Sequence, residues 1–257
     1  MLENLYLINL GAFVGGIIIF GISEYFFRYR MPTDSTGSRW GENFSMTIVN
    51  TLIIRFLFFV TPISVVLYAA DNNLGIFNYF DIPEFFAGIF MFLLLDMIIF
   101  LEHIMFHKIP FFWKFHSVHH SDLDMDFTTA LRFHFGEAIF SSLTKILFII
   151  TFGPPVWSVI AFEVVLNVSA MWNHSNINLP KKLDRLVSKI IVTPKFHEVH
   201  HSQDLSESMS NYGFFLSIWD YMYKTYVPHQ RKIAKLGMKN QNKRYNLKKL
   251  LLLKTDK

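Results

Sequence analysis

Residues 85–120 read FFAGIFMFLLLDMIIFLEHIMFHKIPFFWKFHSVHH. The first part, to residue 107, is apolar over the ~20 residues that cross a bilayer as a helix. It runs out into His103-xxx-His107 and then His116-xx-His119-His120, five histidines in eighteen positions. The same H-x-x-H-H spelling returns at His197-xx-His200-His201, and ten of the eleven histidines lie between 103 and 201. On a helix, positions 96, 99, 100, 103 and 107 share one stripe, so Asp96 faces the same way as His103 and His107. An acid inside a span faces protein or a polar cavity, which makes Asp96 a candidate to orient the histidines through a neighbour.

The rest of the chain fits a membrane setting. Hydrophobic residues make up 52%, charged residues 17%, and phenylalanine alone 29 positions of 257. Mean hydropathy is positive. Such a composition belongs to membrane proteins. Cysteine is absent, which excludes disulfides, thiolate metal sites, iron–sulfur clusters and cysteine nucleophiles. Any metal is then held by nitrogen and oxygen. From Lys224 onward the chain has eleven Lys/Arg and one acid, Asp256. On this chain that tail reads as a solvated or lipid-facing segment, and nucleic acid is not expected as a partner.

Working outward, residues 7–27 (LINLGAFVGGIIIFGISEYFF) predict a first span, with Gly15 and Gly16 placed for close helix packing. It lacks the basic n-region and the cleavage site of a signal peptide. Residues 28–46 read as a polar loop, 47–69 as a second span and 70–84 as a second loop. After the third span, residues 108–135 read as amphiphilic surface. Residues 137–152 and 156–173 are two apolar runs split by Gly153-Pro154-Pro155. Each is short for a span, so a helical hairpin that enters the bilayer and returns is expected. Residues 209–227 read as an interfacial helix and 246–253 as a short amphipathic surface helix. The predicted fold is an all-α integral membrane protein with about three full spans, a re-entrant hairpin and a cytoplasmic helical cap. Its organisation is an anchor over 1–84, a catalytic unit over 85–227 and a basic tail over 228–257. The 28–46 loop holds three arginines and the 70–84 loop none, so the positive-inside rule puts the histidine segments and the C-terminus in the cytoplasm.

Histidines at i and i+3, or at i and i+4, share a helix face, so each H-x-x-H-H box offers three imidazoles from little more than one turn. Imidazole suits iron, zinc, copper and nickel. One ion cannot use ten histidines, whereas two ions at about four or five nitrogens each can. A binuclear site is the economical reading. Asp122, Asp124 and Asp126 follow the box at His116–His120 and are candidates to orient ligand imidazoles, with a solvated loop as the plain alternative. Glu198 and Asp220 are considered for the same role. His229 lies in the basic tail, outside every box, and reads as exposed.

These boxes resemble those of the fatty acid hydroxylase superfamily, also called the sterol desaturase family. The supporting pieces are Ser121, Thr128-Thr129-Ala130-Leu131-Arg132, Asn173-His174-Ser175-Asn176, Thr193-Pro194, Asn211-Tyr212-Gly213 and Trp219-Asp220. The resemblance covers about 85–227. It implies an integral membrane di-iron oxygenase with two irons, dioxygen as co-substrate and two electrons per turnover. It also implies ligand roles for His103, His107, His116, His119, His120, His197, His200 and His201, and adds His174. The helix stripe of His174 carries Glu163 and Asn167, a polar face running into the hairpin. Many relatives have Arg-x-His-Pro-x-Glu where this chain has Arg132-Phe133-His134-Phe135-Gly136-Glu137, so His134 stands between a ligand and a structural role. The implied reaction is hydroxylation of an acyl, alkyl or sterol-like lipid drawn from the bilayer. Desaturation and ether-lipid oxygenation are the alternatives within the superfamily. The chain carries no dinucleotide fingerprint and no c-type haem motif, so a separate electron donor is expected. A histidine-rich metal transporter would set its ligands near the membrane midplane, unlike these, which sit at span ends.

Overall fold

The computed structural model describes residues 2–57, 61–229 and 233–254. They form α-helices and one short 3₁₀ turn, and the described residues contain no strand. The long helices are α1 (Leu2–Phe27), α2 (Thr36–Leu57), α5 (Glu84–Lys108), α7 (Phe135–Phe152) and α8 (Val156–His174). Short α3 (Pro62–Asp71) and α4 (Ile76–Tyr79) connect α2 to α5. A cap is built from α6 (Pro110–His120), the 3₁₀ turn Phe127–Leu131, α9 (Lys181–Val187), α10 (Pro194–His200), α11 (Leu205–Ser208), α12 (Ile218–Tyr223) and α13 (Leu247–Leu251). Five stretches are long and apolar enough to cross a membrane: Asn4–Phe27, Thr36–Tyr79, Glu84–Lys108, Phe135–Phe152 and Val156–His174. The chain is thus a multi-pass, all-helical membrane protein.

The core explains the order of the helices. Leu95 and Ile99 of α5, Val65 and Val66 of α3, Ile149 of α7 and Val159 and Phe162 of α8 pack into one cluster. A second cluster sets Phe20 of α1 against Met171 of α8 and Phe127 of the cap's 3₁₀ turn. Gly16 belongs to that contact, since a Cβ there would lie 2.5 Å from Met171 Cε. The α7–α8 pair turns at Gly153 and is tied across by Lys145 Nζ donating to Glu163 Oε1 at 2.6 Å. Residues eight or nine positions either side of the turn meet, so the two helices run antiparallel. Gly153 has φ +61°, and a Cβ there would lie 1.8 Å from the Leu74 carbonyl. Only glycine lets this turn seat against the α3–α4 connection.

Several expectations need correction. The segment read as a polar loop over 28–46 is helical from Thr36. Its Arg39, Asn43 and Met46, with Asn50 one turn further on, are buried on one face of α2. They face the cap rather than water, which low hydropathy cannot reveal. The second span is not one helix through 69. Thr61 caps a new helix at Pro62, with Thr61 and Ser64 exchanging the bonds of a capping box; residues 58–60 of that expected span lie outside the described residues. Within 209–227 only Ile218–Tyr223 is helical, because the backbone N–H groups of Tyr212, Gly213, Phe215 and Leu216 bond carboxylates instead. Helix α13 falls inside 246–253, but Leu250 is fully buried with Met46 and Val118, so it is docked onto α2 and α6 rather than laid on a surface. His229 is not exposed, as its Nε2 lies 3.0 Å from Glu198 Oε2 with 14% of its side chain accessible.

Candidate metal centre

Four helices end at one place. The last two turns of α5, α6, α8 and α10 carry His103 and His107, His116 to His120, His174, and His197 and His200, with His201 as the cap residue of α10. Helix C-termini present unpaired carbonyls and partial negative charge, which favours cations. All nine of these histidines are at most 8% exposed.

They sort into two groups, with the donor atoms of each within 4.8 Å of one another: His103, His107, His116, His120 and His200, and then His119, His174, His197 and His201. In the first, Nε2–Nε2 separations are 3.1 Å for His103–His116, 3.1 Å for His107–His120 and 3.0 Å for His120–His200. In the second, His174 Nε2 lies 3.0, 3.1 and 3.2 Å from the Nε2 atoms of His119, His197 and His201. Each box is split between the groups. His116 and His120, four apart, go to one and His119 to the other; His197 and His201 go to one and His200 to the other.

The outer nitrogens say what the inner ones are. His103 Nδ1 donates to the Tyr212 carbonyl at 2.8 Å, His200 Nδ1 to that of Ser210 at 2.7 Å and His174 Nδ1 to that of Ala170 at 2.6 Å. A carbonyl only accepts, so Nδ1 holds the proton and, in a neutral ring, Nε2 is a bare lone pair. His116 Nδ1 meets Glu137 Oε1 at 2.8 Å in the same sense. Lone pairs aimed at one another at about 3 Å repel unless a cation takes them, so the donor set fits a metal ion in each group. Burial lowers the pKa of His116 to about 3, and burial together with neighbouring imidazoles drives His119, His120, His197, His200 and His201 well below the ordinary value.

A pH dependence follows. The unfolded chain takes up protons below pH 6.5 while the folded histidines resist them. Their contribution to stability is whole above that value and lost as pH falls toward the folded pKa values, by up to about 1.4 kcal/mol per pH unit for each imidazole. Acidifying the purified protein from pH 7 to about 4.5 is therefore expected to release bound metal and loosen the cap, read by metal retention on gel filtration. Full retention at the lower pH would contradict this.

The other candidate residues are placed as follows. His134 joins neither group. Its Nδ1 accepts from Gly136 N–H at 3.0 Å as the cap of α7, its Nε2 lies 3.2 Å from the Leu251 carbonyl, and its ring stacks on Phe115. Asp96 accepts from Phe215 N, Leu216 N and Trp219 Nε1, and Asp220 from Tyr212 N, Gly213 N and Thr225 Oγ1. Together they pin the 209–217 loop, whose Ser210 and Tyr212 carbonyls hold His200 and His103. Between these two carbonyls Asn211 takes φ +55°, a conformation asparagine tolerates. Asp122, Asp124 and Asp126 bond no histidine. Asp122 accepts from Arg39 and Thr129, Asp124 from Thr33 and Asp34 N, and Asp126 from Arg39, Trp40 and Thr128. Glu163 is held by Lys145. Glu198 pairs with Arg30 and His229. The carboxylate that touches a histidine of the two groups is Glu137, on His116, which the sequence reading passed over; its signal was its place in the Arg-x-His-x-x-Glu stretch.

A cavity of about 310 Å³ opens onto both groups. His103 and His116 of the first and His119 and His197 of the second form one wall. Phe13 of α1, Ile54 of α2, Ile99 and Phe106 of α5 and Leu166 of α8 supply its apolar surface. Phe133 lies flat against His119, with ring centroids 4.4 Å apart.

Comparison with known proteins gives consistent findings. A family model described as fatty acid hydroxylase matches residues 88–225, more than half the chain. The chain is 34% identical over 133 residues to an alkylglycerol monooxygenase of Xenopus tropicalis, covering 51% of this chain and 28% of that protein. It is 29% identical over 129 residues to the ornithine lipid hydroxylase OlsE of Rhizobium tropici, covering 50% and 38%. A very-long-chain aldehyde decarbonylase, GL1-5 of Oryza sativa subsp. indica, is 28% identical over 148 residues, covering 54% and 23%. The chain thus spans well under half the length of these relatives. No solved structure matches it.

Proposed function

Because the chain belongs to the fatty acid hydroxylase family, we propose that it is a membrane-bound di-iron oxygenase that hydroxylates a C–H bond of an acyl, alkyl or sterol-like lipid. The observation that carries this reading is one largely apolar cavity walled by histidines of both groups. The balanced reaction takes R–H, O₂, two electrons and two protons to R–OH and water. When bound, the irons supply the activation of dioxygen that this oxidation needs. The nine clustered histidines hold them, and the carbonyls of Ser210, Tyr212 and Ala170 with Glu137 fix the imidazoles. Ile99, Phe106 and Leu166 exclude water and hold the lipid chain beside the histidines. The relatives named monooxygenase and hydroxylase favour oxygen insertion over desaturation as the outcome.

In this reading residues 85–227 are the catalytic unit, 1–84 the anchor and 228–257 a basic tail. The N-terminus lies outside, and the α7–α8 hairpin returns to its own side, which its antiparallel course supports at any depth of entry. The histidine cap and C-terminus then face the cytoplasm, where a separate reductase or small redox carrier delivers electrons.

The test is paired. Purified protein is expected to carry about two irons per chain. Lipid profiles of a deletion strain are expected to lose one oxygenated lipid, which the wild-type gene restores. Metal well below one ion per chain, or unchanged lipids, would sink the reading.

A further inference from the structure

We infer that α1 and α2 form the entrance to the cavity, a slot between Phe13 and Thr51 through which a lipid enters sideways from the bilayer. This rests on the cavity being the substrate site. It assigns the route of entry to a part of the chain outside the family match at 88–225.

The two helices are consecutive in sequence but do not pack on each other along their length. α1 packs on α8, and α2 packs on α7 and the 3₁₀ turn. Near the cap both close on Phe127. Phe20 of α1 shares its cluster, and the Trp40 ring of α2 meets it edge-on with centroids 5.2 Å apart. At the far end Tyr6 Oη lies 2.7 Å from Thr61 Oγ1, which ties α1 to the cap residue of α3. Between these two ties the helices part. The buried face of α2 ends at Asn50, yet Thr51 and Ile54 beyond it line the cavity, as does Phe13 of α1. Among the described residues of the cavity wall Thr51 alone is exposed, and every other is half-buried or buried. A wall residue that also meets the outside marks a mouth.

The surroundings of that mouth decide what passes it. Leu10 and Val14 lie within a turn of Phe13, and Ile48 and Leu52 within a turn of Thr51, and all four are exposed. Exposed aliphatic side chains on both rims of a spanning pair face lipid. Phe13 stands fourteen residues before the cap-side end of α1 at Phe27, roughly 20 Å along the helix. The mouth therefore opens at the depth of acyl chains, away from the headgroups on the cap side. A lipid dissolved in the bilayer reaches it directly, and a water-soluble carrier docked on the cap does not. Phe13 and Thr51 set the width of the slot, so α1 and α2 sort lipids as well as anchoring the chain.

The test follows a probe into the cavity and needs no turnover. Full-length protein in nanodiscs, without an electron donor, receives hexadecan-1-ol with a photoreactive diazirine on its far carbon and is irradiated after a short incubation. Peptide mass spectrometry compares label on Ile99 and Phe106, buried in the cavity wall, with label on Leu93 and Leu147, exposed on the outside. The chain has no cysteine, so a bis-maleimide bridges Phe13→Cys and Thr51→Cys and nothing else. The bridge is expected to cut cavity label about tenfold while outer label holds. Thr51→Trp, which fills the slot without a bridge, should lower cavity label, and Phe13→Ala, which widens it, should raise it. Undiminished cavity label behind the bridge, or in Thr51→Trp, places the entrance elsewhere and overturns the inference. No cavity label in the unmodified protein sinks the cavity as a lipid site, and this inference with it. Entry that the bridge blocks, in a protein that oxidises nothing, would spare the inference and sink the oxygenase reading.

Discussion

Alanine at His119 and alanine at His120, adjacent in sequence, are expected to disable opposite halves of the metal centre. His119 belongs with His174, His197 and His201, and His120 with His103, His107, His116 and His200. Each single variant should lower metal content from about two ions to about one and cut lipid oxidation at least about 100-fold, since even partners of metal ligands are worth 10–100-fold. The sharper result comes from combination. His120→Ala with His200→Ala, both in one group, should cost little more metal than either alone. His119→Ala with His120→Ala should empty both groups, because they act on separate positions. Elemental analysis of purified protein reads this directly. Equal metal loss from the two double variants would show that the nine histidines do not act as two groups.

Arg39→Met is expected to be the most damaging change away from the histidines. Arg39 is 2% exposed and pairs with both Asp122, at 2.9 Å, and Asp126. Burial pushes the Asp122 carboxyl up, but Arg39 and Arg132 outweigh it and hold the group below its usual pKa. Removing the guanidinium strands buried negative charge, at a cost of about 3–5 kcal/mol. The strain falls on the segment that leaves the box at His116–His120, so metal retention should suffer along with thermal stability. The triple variant with Asp122→Asn and Asp126→Asn should recover much of the loss, because asparagine still caps the 3₁₀ turn at 126. Unfolding temperature in detergent reads both. A triple variant no better than Arg39→Met would show that charge pairing is not what Arg39 contributes.

The histidine spacing and the long apolar runs were legible because each is local. Helical geometry makes i, i+3 and i+4 neighbours, and span length is a count of apolar residues. Which histidine joins which group was not legible, since that depends on how α6 and α10 cross. The role of Asp122, Asp124 and Asp126 was missed for a related reason. Their partners Thr33, Arg39 and Trp40 lie more than 80 positions away, in a stretch whose polarity suggested a loop. A signal was present there: Arg39, Asn43, Met46 and Asn50 keep helical spacing. It marks a face that is polar because it meets the cap. Glu137 could not be singled out, because its link to His116 exists only once α7 is folded beside α6. The tail misled in the other direction, since its charge hid Ile233, Leu236 and Leu250, which pack into the cap.

The division of each box between two groups also limits how this sequence can drift. A single inserted or deleted residue rotates the remainder of a helix by roughly 100°. Between His116 and His120, or between His197 and His201, such a change would misalign ligands of both groups at once. A point substitution at one histidine damages one group. Length changes inside the boxes are therefore the lesions that evolution cannot repair one position at a time.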